Sequence, residues 1–145
     1  MPSIKYALPN FLIGKCTEKE YLRWLYAKAR AHVLRDRKRS NDWIAGEQYR
    51  LAIHRAVVNS NGLDVYTGKI LRWDLISKYD NNKAKLGGRA YKKKFADLPT
   101  IDHINDVKGK LEFNICSWRV NGAKSDLTLN EFIELCGEIL HFNAR

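Results

Sequence analysis

Apolar side chains recur at helical spacing in three stretches of this 145-residue chain, with shorter strand-like runs between them. Leu22, Leu25, Tyr26, Ala29 and Val33 form the first stripe, opened by Thr17-Glu18-Lys19-Glu20 with the spacing of a capping box. The opposite face carries Arg23, Lys28, Arg30 and Arg35 and runs out in Arg37-Lys38-Arg39. Basic side chains suit a helix C-terminus, so each is as readily a solvated charge as a phosphate contact. Tyr49, Ile53, Ala56 and Val57 form the second stripe, closed by Ser60-Asn61-Gly62 with Gly62 as a left-handed cap. Within it, His54 has no neighbouring Cys or His and reads as structural. Thr128-Leu129-Asn130-Glu131 is a second capping box. It predicts a last helix with Phe132, Ile133, Leu135, Cys136 and Ile139 facing inward and Glu131, Glu134 and Glu138 outward.

Between these helices, Val65-Tyr66-Thr67-Gly68-Lys69-Ile70 predicts a strand, a glycine turn and a strand, followed by Trp73, Leu75 and Ile76 on the core. Residues 79–98 read as an irregular basic excursion, with Lys83, Lys85, Arg89, Lys92, Lys93 and Lys94 preceding the first acidic residue after Asp80, Asp97. Gly87-Gly88 argues against one continuous helix there. With Tyr91 and Phe95 interleaved, this segment either tracks a phosphate backbone or is a solvated loop. Pro99 then opens a strand through Ile101-Asp102-His103-Ile104, and a second strand surrounds Asn114. The pattern predicts an α+β fold in a single domain spanning 1–145. Residues 1–62 are a helical support, 63–98 a hairpin and basic loop, and 99–145 a strand–strand–helix finger with a C-terminal helix.

Composition narrows the partner. A formal charge of +10 and a pI near 9.6 favour a polyanion, most commonly nucleic acid. Cys16, Cys116 and Cys136 are far apart and lack Cys-x-x-Cys spacing, which argues against a disulfide framework or a zinc ribbon; small buried apolar side chains are the expectation for all three. Met1-Pro2-Ser3-Ile4-Lys5 opens no long apolar stretch, and no run approaches the roughly 18 apolar residues of a membrane span. The expectation is a cytoplasmic protein without a membrane partner.

The candidate chemistry is concentrated near the end of the chain, in Asp102-His103, Asn114, Asn121 and Lys124. Phosphodiester hydrolysis needs a base for the attacking water and neutralisation of charge on the phosphate and the leaving oxygen. Imidazole is a suitable base near neutral pH, and His103 supplies one. Carboxylate and amide oxygens suit Mg²⁺, which keeps several of its waters, and Asp102 and Asn121 are of that type. Strand alternation puts Asp102 and His103 on opposite faces, so a twist or bulge is expected to bring them to one site. Arg119 either clamps a phosphate or pairs with a C-terminal glutamate.

The run Asp102-His103, Asn114, Asn121, Lys124 resembles the HNH endonucleases, a branch of the His-Me finger (ββα-metal) superfamily. Lys124 is similar to the Asn-x-x-Lys ending of that motif, and Tyr66-Thr67-Gly68-Lys69 resembles a turn found upstream of the Asp-His strand in some members. The resemblance implies a ββα-metal finger with His103 as general base. It implies Asp102 and Asn121 as ligands of Mg²⁺ (or Mn²⁺), and Asn114 as the residue that stabilises the loop between the strands. Catalytic roles fall on His103, Asn121 and Lys124. Many members carry paired cysteines for a structural zinc; here Ser117 and Val120 stand at those positions, so no structural zinc is expected. DNA is the implied substrate, with RNA not excluded by the residues. Arg89, Lys92, Lys93, Lys94 and Arg119 are the candidate nucleic-acid contacts. Cutting a duplex with so small a protein implies a homodimer or a nicking activity. The alternative is a catalytically silent nucleic-acid-binding module, or a basic domain that meets an acidic protein.

Overall fold

The computed structural model describes residues 5–40, 43–104 and 110–144. It is α+β and mostly helical: α1 (Glu18–Ser40), α2 (Gly46–Ser60), α3 (Asn81–Lys93), β1 (Pro99–His103), β2 (Phe113–Ser117), α4 (Trp118–Lys124) and α5 (Leu129–Asn143). Single 3-10 turns at Asn10–Leu12 and Trp73–Leu75 complete it. The two strands form one antiparallel pair, and α1, α2 and β2 stack in that order around the core.

Reciprocal bonds start α1 as expected: Thr17 N–H donates to Glu20 Oε1 (2.9 Å) and Glu20 N–H to Thr17 Oγ1 (3.0 Å). Of the expected stripe, Leu25, Ala29 and Val33 are buried and Leu22 packs against the core, with Tyr21 and Trp24 joining it in place of Tyr26. Tyr26 is half exposed and carries the Arg50 guanidinium on its ring. Tyr21 and Trp24 stack on each other, and Trp24 meets Trp73 edge-on at 5.1 Å. In α2 the stripe Tyr49, Ile53 and Val57 is buried as predicted. Asn61 (φ 53°) and Gly62 (φ 84°) end that helix in the left-handed region, and a Cβ on Gly62 would press to 3.1 Å of the Phe11 ring. His54 is structural: its Nδ1 lies 2.6 Å from the Tyr21 hydroxyl.

Residues 63–70 do not form two strands. Only Leu63 and Ile70 bridge, because the Asp64 carboxylate captures the backbone N–H groups of Tyr66 (2.7 Å) and Thr67 (3.3 Å). Such local bonds compete with a strand ladder. The other Asp64 oxygen accepts from Ser117 N–H (3.0 Å), and Val65 N–H donates to the Ile115 carbonyl (3.0 Å). The turn is thereby fastened to β2.

The basic excursion is helical on both sides of a break at Gly88 (φ 56°, ψ −136°), with Asp80 capping its start. Its aromatic residues are taken up by packing: Tyr79 lies against Tyr91, Phe95 and Trp118 at 5.2–5.7 Å. Tyr91 and Phe95 therefore serve the fold rather than offering free faces to bases.

The capping box of α5 forms as expected, but no residue of α5 is buried among the described residues. Of the inward face expected, Phe132 is half-buried, whereas Ile133, Leu135, Cys136 and Ile139 are exposed. Periodicity identifies an apolar face but not whether anything covers it; here the core is already filled by α1, α2 and β2. Cys116 is buried and Cys16 half-buried, so the expectation for cysteines fails only at Cys136. No helix among the described residues is long and apolar enough to cross a membrane.

Asp64 is 1% exposed and holds the turn to β2. Asp64→Ala leaves several backbone donors unsatisfied and should cost about 2–4 kcal/mol in urea denaturation; a loss below about 0.5 kcal/mol would mean that water replaces these bonds.

Candidate active site

β1 and β2 pair in continuous register, with Asp102 opposite Asn114 and His103 opposite Phe113. No bulge is present, so the pleat sends Asp102 and His103 to opposite faces, against the expected distortion. They nevertheless border one cleft. It has a volume of about 740 Å³ and follows the end of β1 from Ile101 to Ile104. Asn114, Asn121 and Lys124 line it as well, so all five residues of the motif meet there.

On one face, Asp102 is 7% exposed and its Oδ2 takes two contacts. Tyr66 O–H donates to it at 2.5 Å, and Lys124 Nζ stands 3.0 Å away. Asn114 Nδ2 donates to the Tyr66 hydroxyl at 3.2 Å. The implied role of Asn114 in the loop between the strands falls on residues 105–109, outside the described residues; its described contact is to Tyr66. Burial, followed by the bond to Asp102, pushes the Tyr66 phenol well above its usual range and keeps it a donor. Ser117 caps α4 by accepting from Val120 N–H (3.1 Å). This start places Asn121 and Lys124, three residues apart, on one face of a short helix.

On the other face, His103 packs against α1. Its ring lies 4.8 Å from Phe113 and 6.1 Å from His32. Nε2 is 3.4 Å from the Lys110 carbonyl, to which a protonated Nε2 can donate. Nδ1 is buried without a hydrogen-bond partner among the described residues, and Asp36 Oδ1 stands 3.8 Å from it. Asp36 is itself held by Tyr49 O–H at 2.7 Å. The His103 side chain is only 5% exposed, so a reacting water reaches Nδ1 only if the ring turns toward the cleft.

Asp102 and Asn121 supply one carboxylate and one amide oxygen at the cleft, a donor set of the kind Mg²⁺ accepts when water completes its shell. Among the described residues no three His, Cys, Asp or Glu side chains cluster, so the remaining ligands would be water and substrate. The ammonium that now balances Asp102 is that of Lys124. The donor set fits in kind, with Lys124 as competitor for Oδ2.

Arg89, Lys92, Lys93, Lys94 and Arg119 are not among the residues lining the cleft. Arg119 N–H bonds to the Ala96 carbonyl, which ties the start of α4 to the segment after α3. Arg35 and Arg39 of α1 line the cleft instead, as does Tyr66. The four-residue spacing of the two arginines was visible in the chain, but nothing local shows which face of α1 meets the hairpin. Tyr66 was legible only as part of a turn. No family model, no curated protein and no solved structure matches this chain.

His32 is buried beside this cleft. Burial, followed by the neighbouring Arg35 charge, pushes its imidazole down to about 4. Unfolded histidine takes a proton near 6.5, so between these values the unfolded chain binds more protons and stability rises with pH. Acidification from pH 7.5 to 4.5 should therefore cost wild type about 2 kcal/mol more than His32→Leu, read by urea denaturation at each pH. Parallel losses in the two proteins would remove His32 from the acid sensitivity.

Proposed function

We propose that this chain is a metal-dependent endonuclease of the HNH type that hydrolyses phosphodiester bonds in DNA. The observation that carries the reading is the meeting of His103, Asp102, Asn121, Lys124 and Asn114 at one polar cleft bordered by arginines. In this reading His103 takes the proton of the attacking water at Nδ1, and the Asp36 carboxylate nearby favours the imidazolium that forms. Asp102 and Asn121 would hold Mg²⁺ or Mn²⁺. The ion, when bound, would neutralise charge on the phosphate and the leaving oxygen. Tyr66 orients the Asp102 carboxylate, and Asn114 orients Tyr66. Lys124, 3.0 Å from Asp102 Oδ2, would set its ammonium beside the reacting phosphate. One such site cuts one strand; a homodimer would supply two.

A specific observation favours a second reading, a binding module that no longer cuts. His103 is buried, and Asp102 already has its counter-charge in Lys124.

Nicking of supercoiled plasmid separates the two. With Mg²⁺ or Mn²⁺ the wild type should nick, EDTA should stop it, and His103→Ala should lower the rate by roughly 10²–10⁴-fold. Nicking that survives in His103→Ala removes His103 as the base. Salt-sensitive DNA binding without nicking of any substrate supports the binding module.

A further inference from the structure

We infer that Arg35 and Arg39, in the last turns of α1, are the phosphate grip of the cleft and hold the nucleic-acid backbone across the site formed by Asp102 and His103. The inference rests on the nuclease reading for the identity of the polymer; the grip itself is read from the residues.

Both arginines line the cleft. Four residues apart, they lie on one side of the helix, about 6 Å apart along its axis. Arg35 Nε is buried and has no hydrogen-bond partner among the described residues. A buried donor without an acceptor carries an uncompensated desolvation cost, which an anion entering the cleft would remove. The Asp102 carboxylate does not accept from Arg35 Nε in the structure, and its Oδ2 is engaged by Tyr66 and Lys124. Planar guanidinium groups match phosphate oxygens in a forked geometry that lysine lacks. The lysines of α3, by contrast, lie off the cleft. Contacts of this kind position the backbone and carry no sequence information.

The consequence is that the helical support forms part of the substrate site. The end of α1 supplies a cationic wall of the cleft, along which a bound strand would lie.

The test is the salt dependence of binding to a short labelled DNA duplex, read by fluorescence anisotropy in EDTA. Arg35→Gln/Arg39→Gln should lower the slope of log K against log salt by roughly 2, which near ~0.1 M salt weakens binding on the order of 50-fold. Arg39→Gln alone, at an exposed position that folding tolerates, should lower the slope by roughly 1. Lys92→Gln/Lys93→Gln/Lys94→Gln should leave it within error of wild type. A wild-type slope in both arginine variants overturns the inference, as does a loss confined to the lysine variant or an absence of salt-sensitive binding by the wild type. Arginine-dependent binding without metal-dependent nicking keeps the grip and removes the nuclease. Nicking that needs His103, with a slope indifferent to Arg35 and Arg39, does the reverse.

Discussion

A carboxylate buried beside a two-stranded sheet has to be neutralised and hydrogen-bonded, and much of this structure follows from meeting that need at Asp102. Lys124 supplies the charge and Tyr66 the hydrogen bond, both on Oδ2. Each partner requires an element to be in place. Lys124 reaches Asp102 only because Ser117 starts α4 directly after β2, turning it back across β1. Tyr66 reaches it only because Asp64 fastens the preceding turn to β2. Losing one partner of a buried pair leaves an uncompensated charge, at a cost of about 3–5 kcal/mol. The polar contacts that could serve chemistry are therefore the same contacts that hold hairpin, turn and α4 together.

A two-stranded ribbon is marginal alone in water, so the hairpin depends on helices for its apolar face. α2 packs on β2, and side chains of α1 reach the hairpin. Lys28 reaches Thr100 (3.3 Å), His32 meets Phe113, and Asp36 meets His103. The opposite faces of β1 thus have different surroundings. Asp102 looks toward α4 and the turn, and His103 toward α1. One cleft at the strand end touches both, which makes the site composite: helix on one side, hairpin and α4 on the other.

This arrangement separates packing from charge along the basic surface. The aromatic residues of 79–95 fasten α3 near the start of α4 and leave its lysines outside the cleft. The arginines at the end of α1 border it. Helix-dipole reasoning accounts for cations at that terminus but not for the buried Arg35 Nε, which faces the cleft without a partner among the described residues.

Local signals were sufficient for the elements whose causes are local. The two capping boxes, the α2 stripe, the left-handed end at Gly62 and the strands around Asp102 and Asn114 each depend on residues within a few positions of one another. The five motif residues were likewise legible as a group from their spacing. What the chain did not disclose were facts about which surface meets which. Tyr26 and Trp24 both lie on helical stripes of α1, and contact with Trp73, distant in sequence, draws Trp24 into the core. The apolar face of α5 has clear periodicity yet stays exposed, since periodicity records a face and not its neighbour. Asp64 looked like an ordinary turn residue until β2 came within its reach. Burial, the Asp102–Lys124 pairing and the approach of Arg35 and Arg39 to the cleft are products of elements distant in sequence. No window of local sequence contains them, because each is set by the packing of two or more elements against each other.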